Sequence, residues 1–170
     1  MEPERMMWLK APRGSLEHAV QFAMMAHAGQ SDRSGHPAIL HPLRVMVGVS
    51  VHGDETMAAA VLHDVIEDTP WTEDELLSEG FSAGVVEVVQ LLSRPPQGAP
   101  NRPTYKEFIR RIKDSGNTMA FAIKVQDIFD NLGRLHELPP EEQAIAHRYQ
   151  DALAILRGEE NLTQGEESER

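Results

Sequence analysis

The stretch from Met57 to Ile66 reads Met-Ala-Ala-Ala-Val-Leu-His-Asp-Val-Ile, apolar at eight of ten positions. A helix apolar nearly all round has to be enclosed by other elements, so the rest of the chain must supply a shell around it. The shell is helical, because the apolar residues recur at helical spacing and no strand-like alternation of useful length appears. Ser15 N-caps a helix expected to run to about Ala28, with Leu16, Val20, Ala23 and Met24 on one face and Gly29 as its stop. A second helix opens at His41 with Pro42 in its first turn, where proline is tolerated. The third is expected from Glu55 to about Asp68, ending at Thr69-Pro70 because the residue before proline leaves helical geometry. Thr72 and Glu75 have capping-box spacing. Ser82 to Leu92 suits a short helix, although Val85, Val86, Val88 and Val89 would also suit a strand. Four prolines between Ser93 and Pro103 make a loop. Helices then follow over about Thr104 to Lys113, Thr118 to Leu135 and Glu141 to Arg157. The expectation is one all-α domain of seven or eight helices over residues 13–158. Residues 159–170, polar and acidic, are expected to form an unstructured tail.

His63 and Asp64 break the apolar run, and Glu67 and Asp68 follow one helical turn later. An unpaired buried carboxylate costs several kcal/mol or becomes protonated. Three acids at the C-terminal end of a helix also repel each other and oppose its dipole. A divalent cation relieves all of these penalties together. Taken by itself the cluster reads more readily as a solvated helix end beside a satisfied core histidine. Two further constellations favour the cation. His41 follows the apolar pair Ile39-Leu40, and Asp127 ends the apolar stretch that begins at Ala120. Lys124 and Asn131 lie three residues before and four after Asp127, on the same side of that helix. Two imidazoles and two carboxylates suit Mn²⁺, Fe²⁺, Zn²⁺ or Mg²⁺ and leave positions open for water and a phosphate oxygen.

Composition narrows the function classes. With 16 Lys and Arg against 27 Asp and Glu, the net charge of −11 disfavours a DNA, RNA or anionic-membrane surface, although a small pocket can still be basic. The absence of cysteine removes disulfides, thiolate metal sites and thiol nucleophiles. The apolar runs are too short to span a bilayer, and the first twelve residues carry charges without a sustained apolar stretch, so the expectation is a cytoplasmic protein. The oligomeric state is not readable.

The order His41, His63-Asp64, Asp127 resembles the spaced signature of the HD phosphohydrolase superfamily, an all-helical metal-dependent fold. The segments Ala26-His27-Ala28-Gly29-Gln30, Ile39 to Val45, Leu62 to Thr69 and Lys124 to Leu132 resemble the hydrolase domain of RelA/SpoT-type alarmone enzymes. They are similar in particular to the small stand-alone hydrolases that remove pyrophosphate from the 3′ position of (p)ppGpp with Mn²⁺. The resemblance covers roughly Leu16 to Leu135. It implies His41, His63, Asp64 and Asp127 as metal ligands, Glu67 and Asp68 as the pair that orients or deprotonates the attacking water, and Asn131 as a nucleotide contact. Arg33, Arg44 and Lys124, each close in sequence to an implied ligand, are candidates for phosphate binding.

This chain departs from the alarmone hydrolases at four places. Asp32 stands where an arginine packs on the base, Ala38 replaces a tyrosine, Ile128 follows Asp127 in place of an arginine, and Arg134 replaces a threonine. The implied metal set is intact while the base-recognition set is altered. The expected function is therefore a metal-dependent hydrolase of a small phosphorylated nucleotide, with (p)ppGpp first. The alternatives are NADPH or a nucleoside polyphosphate, or a module that binds a nucleotide without turnover. His18, His36, His52, His136 and His147 lack acids at ligand spacing and are expected at the surface.

Overall fold

The computed structural model describes residues 11–159, and all of its regular secondary structure is helical. The helices are α1 (Leu16–Ala26), α2 (Leu40–Gly48), α3 (Asp54–Leu62), α4 (Val65–Asp68), α5 (Glu73–Ser78), α6 (Ala83–Leu92), α7 (Tyr105–Asp114), α8 (Thr118–Gly133) and α9 (Ile145–Arg157). Short 3₁₀ turns add Ser50–His52, Leu135–Glu137 and Pro140–Glu142. Since α3 and α4 are two halves of one helical stretch, the arrangement is the expected bundle of eight helices among the described residues. The expected tail lies outside them except for Glu159.

Helix α3 is the axle. Ala58 through Leu62 are buried without exception, and the helix packs against α1, α2, α6 and α8. An all-round apolar helix has no solvent face to spare, so this is the enclosure the sequence requires. The shell is pinned by local signals. Ser15 Oγ accepts the His18 N–H, Thr72 and Thr104 each form a reciprocal capping box with the glutamate three residues on, and Asn117 caps α8 through the Ala120 N–H. The valine-rich segment is helix α6, started by Ser82, whose Oγ accepts the Val85 N–H. Gly14 is required on two grounds. Its φ is +75°, and a Cβ there would lie 2.2 Å from the Gly80 carbonyl oxygen, so the start of α1 closes directly onto the α5–α6 turn.

Two expectations need correction. The helix expected from Glu55 to Asp68 is interrupted at His63-Asp64, where Asp64 takes φ −95°, ψ −5° and begins α4. His18 is not a surface residue. It is 1% exposed, stacks on Phe81 with ring centroids 4.9 Å apart, and accepts the Gly14 N–H on Nδ1 while Nε2 lies 3.6 Å from Glu79. Among the described residues no helix is long and apolar enough to cross a membrane.

Candidate active site

The break between α3 and α4 builds the centre of the site. Adjacent side chains on an unbroken α-helix diverge by about 100°. At the break, His63 Nε2 and Asp64 Oδ1 come within 3.0 Å. His63 is buried, and its Nδ1 donates to the Ala60 carbonyl at 2.7 Å, which leaves Nε2 as the bare nitrogen of the neutral ring. That nitrogen is buried and makes no hydrogen bond. An orphaned buried imidazole nitrogen beside a carboxylate is a donor in need of a cation.

Helix α2 supplies the second imidazole. His41 Nδ1 donates to Asp130 Oδ2 at 2.8 Å, and its Nε2 lies 3.1 Å from Asp127 Oδ1 and 3.8 Å from Asp64 Oδ2. Donor atoms of His41, His63 and Asp64 all lie within 4.8 Å of one another. Helix α8 contributes Asp127, 5% exposed, whose Oδ2 accepts Lys124 Nζ at 2.6 Å and whose Oδ1 accepts Asn131 Nδ2 at 2.6 Å. Thus His41, His63 and Asp64 form one cluster, and Asp127 adjoins it through His41 with its own oxygens held by Lys124 and Asn131. Two imidazoles and two carboxylates, with one buried nitrogen unsatisfied, fit a divalent cation.

The charge states agree. Burial alone would lower the His41 pKa, but the Asp127 and Asp130 carboxylates raise it to about 10. For His63 too, burial opposes the charge and the Asp64 carboxylate overcomes it, so its pKa rises. Asp64, despite burial, is held down to about 2 by the two imidazoles, and Asp127 is driven below the usual carboxylate range, with Lys124 the strongest pull. Both imidazoles hold a proton more tightly than a free one, so metal binding would compete with protonation.

The two acids of α4 differ. Both Glu67 oxygens are engaged: Oε2 accepts the Arg94 backbone N–H at 2.9 Å, and Oε1 lies 3.2 Å from the guanidinium groups of both Arg94 and Arg102. No side-chain hydrogen bond or ion pair is made by Asp68 among the described residues. Burial raises its pKa, the neighbouring Asp64 and Glu67 add to this, and it reaches about 6. Its main-chain carbonyl accepts Gln30 Nε2, and Gln30 in turn holds His27 Nδ1 at 2.8 Å, so the loop after α1 is tied to α4.

The remaining sequence candidates divide. Asn131 lines the site and orients Asp127. Lys124 lines it as well, but its ammonium is committed to Asp127 and lies over the Phe108 ring at 5.0 Å. Arg44 forms a two-point pair with Asp130 at 2.6 and 2.9 Å, and it lines neither cavity at the site. Arg33 reaches the rim, where it is 3.6 Å from Glu142. Sequence reasoning missed Asp130, although it stands one turn beyond Asp127 and Arg44 one turn beyond His41. A cavity of about 640 Å³ opens over His41, Asp64 and Asp68, with Leu135, Leu138 and Ile145 at its apolar end. At its rim Asp32 and Arg134, two of the four departures, form an ion pair at 3.0 Å. Asp32 Oδ1 meanwhile accepts the N–H groups of Ser34 and His36 and so caps its own loop.

Fold and site together define an all-helical protein with a histidine–aspartate cluster that could hold a metal ion beside a cleft. The HD domain family model matches residues 19–159, and the chain belongs to that family. It is 34% identical over 139 residues to a "probable GTP pyrophosphokinase" of Mycobacterium leprae, covering 79% of this chain and 18% of that protein. A guanosine-3′,5′-bis(diphosphate) 3′-pyrophosphohydrolase of Haemophilus influenzae is 49% identical over 75 residues, 43% of this chain and 11% of that protein. The bifunctional (p)ppGpp synthase/hydrolase SpoT of Escherichia coli is 32% identical over 137 residues, 75% of this chain and 19% of that protein. The chain therefore spans less than a fifth of the length of each of these three relatives. A solved structure described as a metazoan ortholog of SpoT that hydrolyses ppGpp shares the fold, with a TM-score of 0.72 at 22% identity over 88% of this chain and 89% of that one.

Proposed function

We propose that this chain is a metal-dependent phosphohydrolase that removes pyrophosphate from the 3′ position of (p)ppGpp, with Mn²⁺ held by His41, His63, Asp64 and Asp127. The observation that carries the reading is the cluster of His41, His63 and Asp64 donors within 4.8 Å of one another, one of them an unsatisfied buried nitrogen, with Asp127 Oδ1 3.1 Å from His41 Nε2 and the Asp68 carboxylate free beside the cleft. The bound cation would acidify its water and neutralise phosphoryl oxygens. Asp68, unpartnered and near-neutral in pKa, accepts the proton of the attacking water. The water oxygen bonds to the phosphorus attached at the 3′ oxygen, and the bond between them breaks with its electron pair on the 3′ oxygen, which takes up a proton. Glu67, gripped by Arg94 and Arg102, acts as a positioning residue that holds the Ser93–Pro103 loop over the site. A cytoplasmic location fits the cysteine-free sequence.

The second reading is hydrolysis of another phosphorylated nucleotide, NADPH or a nucleoside polyphosphate, and the Asp32–Arg134 pair favours it. An arginine at 32 could stack on a purine, whereas here the carboxylate is spent on its own loop and on Arg134. The test is a nucleotide panel assayed with the manganese-loaded chain for phosphate and pyrophosphate release. The first reading expects pyrophosphate from ppGpp at the highest kcat/KM. A higher value for NADPH or a nucleoside triphosphate establishes the second, and release from none of them overturns both.

A further inference from the structure

Five cationic side chains line the two cavities that meet at the metal ligands: Arg33, Arg94, Lys124, Arg134 and Arg148. Four are committed, each with a carboxylate within 3.6 Å: Glu142, Glu67, Asp127 and Asp32 respectively. Arg148, on α9, has no carboxylate partner among the described residues. Its guanidinium lies over two tyrosines instead, 4.7 Å from the Tyr105 ring centroid and 5.7 Å from that of Tyr149. With His41, Asp64 and Asp68 it is common to both cavities, so it faces the place where a substrate would reach the metal.

The chemistry of that place calls for such a group. The other cations around it are spent on the site's own carboxylates, Lys124 on Asp127 and Arg94 and Arg102 on Glu67, which leaves a metal and Arg148 to meet an anionic substrate. With its inner phosphate at the metal, a pyrophosphoryl group carries further negative charge on its outer phosphate, for which a cation not already paired is the matching partner. A guanidinium stacked on aromatic rings keeps its N–H edge free for two-point binding of phosphate, and the stacking holds it in one orientation beforehand.

We propose that Arg148 is a specificity-determining residue that grips the outer phosphate of a pyrophosphoryl group whose inner phosphate sits at the metal. The assignment rests on the phosphohydrolase reading and names the group removed as pyrophosphoryl rather than a single phosphoryl. It is tested by calorimetric binding of inorganic pyrophosphate and of orthophosphate to the manganese-loaded full chain, wild type against Arg148→Met and Arg148→Lys. Charge-assisted hydrogen bonds of this kind are worth enough that Arg148→Met should weaken pyrophosphate roughly 10- to 100-fold. Orthophosphate, which reaches only the metal, should change less than about threefold by the same reasoning, and Arg148→Lys should recover part of the loss. An unchanged melting temperature in Arg148→Met separates this role from simple packing of the tyrosines. Pyrophosphate binding equal to wild type, or an equal loss for both anions, overturns the proposal. Should wild type fail to hydrolyse ppGpp while Arg148→Met still selectively loses pyrophosphate, the alarmone reading falls and the Arg148 assignment stands. If ppGpp is hydrolysed but the selective loss is missing, the reverse holds.

Discussion

Asp130 shows how much a single carboxylate can set in this site. It orients His41 through Nδ1, fixes which nitrogen is left for a metal, and neutralises Arg44. Partners in this position are typically worth 10- to 100-fold in metal affinity, so Asp130→Asn should weaken manganese binding by about that factor with all four ligands intact, as competition with a chelator of known affinity would show. Burial opposes ionisation of Asp130, but His41 and Arg44 hold its pKa at about 2 against an ordinary 3.8. Its folded pKa is depressed, so its stabilisation is present above about pH 4 and disappears as pH falls through 2. That shift corresponds to about 2 kcal/mol. Denaturant melts of the metal-free protein should show Asp130→Asn less stable by that order at pH 7, with the gap closing towards pH 2. The two acids of α4 should separate as well. Asp68→Asn removes the proton acceptor and should lower kcat by roughly 10²–10⁴ at unchanged metal content. The acid limb of the kcat profile should lie at or below pH 6, since a cation beside Asp68 can only pull its carboxyl down from about 6. Glu67→Gln should act through the loop and raise KM more than it lowers kcat. In the sequence these acids are adjacent and equivalent; only the arginines that arrive from 27 and 35 residues away distinguish them.

At the scale of elements, the loop from Ser31 to Pro37 and the end of α8 carry the most informative difference between expectation and structure. From the sequence, Asp32→Arg looks like a simple gain of base packing. In the structure the same change uncaps the Ser34 and His36 N–H groups and sets a second guanidinium against Arg134. Asp32→Arg alone should therefore lower stability by about 1–2 kcal/mol and leave kcat/KM for ppGpp unimproved. Asp32→Arg combined with Arg134→Thr, which frees the new arginine, should raise it, chiefly through KM. Steady-state kinetics of the two variants decide this. The pairing was illegible because its partners lie 102 residues apart, with no helical spacing to connect them. Elements defined by local signals were legible: the Ser15 cap, the Thr72–Glu75 box, and His41 at the head of α2. The break at His63-Asp64 was not, because alanine, valine and leucine continue helical periodicity straight through it, and tertiary contact decides where the hydrogen-bond ladder stops.

For the molecule as a whole, the enclosed α3 makes the fold and a candidate His–Asp cluster legible together in the sequence. One buried helix that is apolar except for an adjacent His–Asp pair demands both a surrounding bundle and a compensating charge, and the structure supplies both on α2 and α8. The substrate face, in contrast, is assembled from the loop after α1, the end of α8 and the start of α9, so residues such as Arg148 carry no local signature. Because the proposed ligands come from α2, the α3–α4 break and α8, a bound cation should lock the bundle. Metal at a hundredfold excess over its dissociation constant adds about 2.7 kcal/mol, so chelation should lower the melting temperature by about 5–10 °C. The proposed catalysis on ppGpp requires one metal ion at His41, His63, Asp64 and Asp127. It is tested most directly by titrating manganese into the metal-free chain and measuring pyrophosphate released from ppGpp against metal bound, for wild type and Asp64→Asn. Wild-type turnover should rise with occupancy and saturate at one ion per chain, while Asp64→Asn should neither bind the ion tightly nor turn over. Full turnover by the metal-free chain, or by Asp64→Asn, would contradict it.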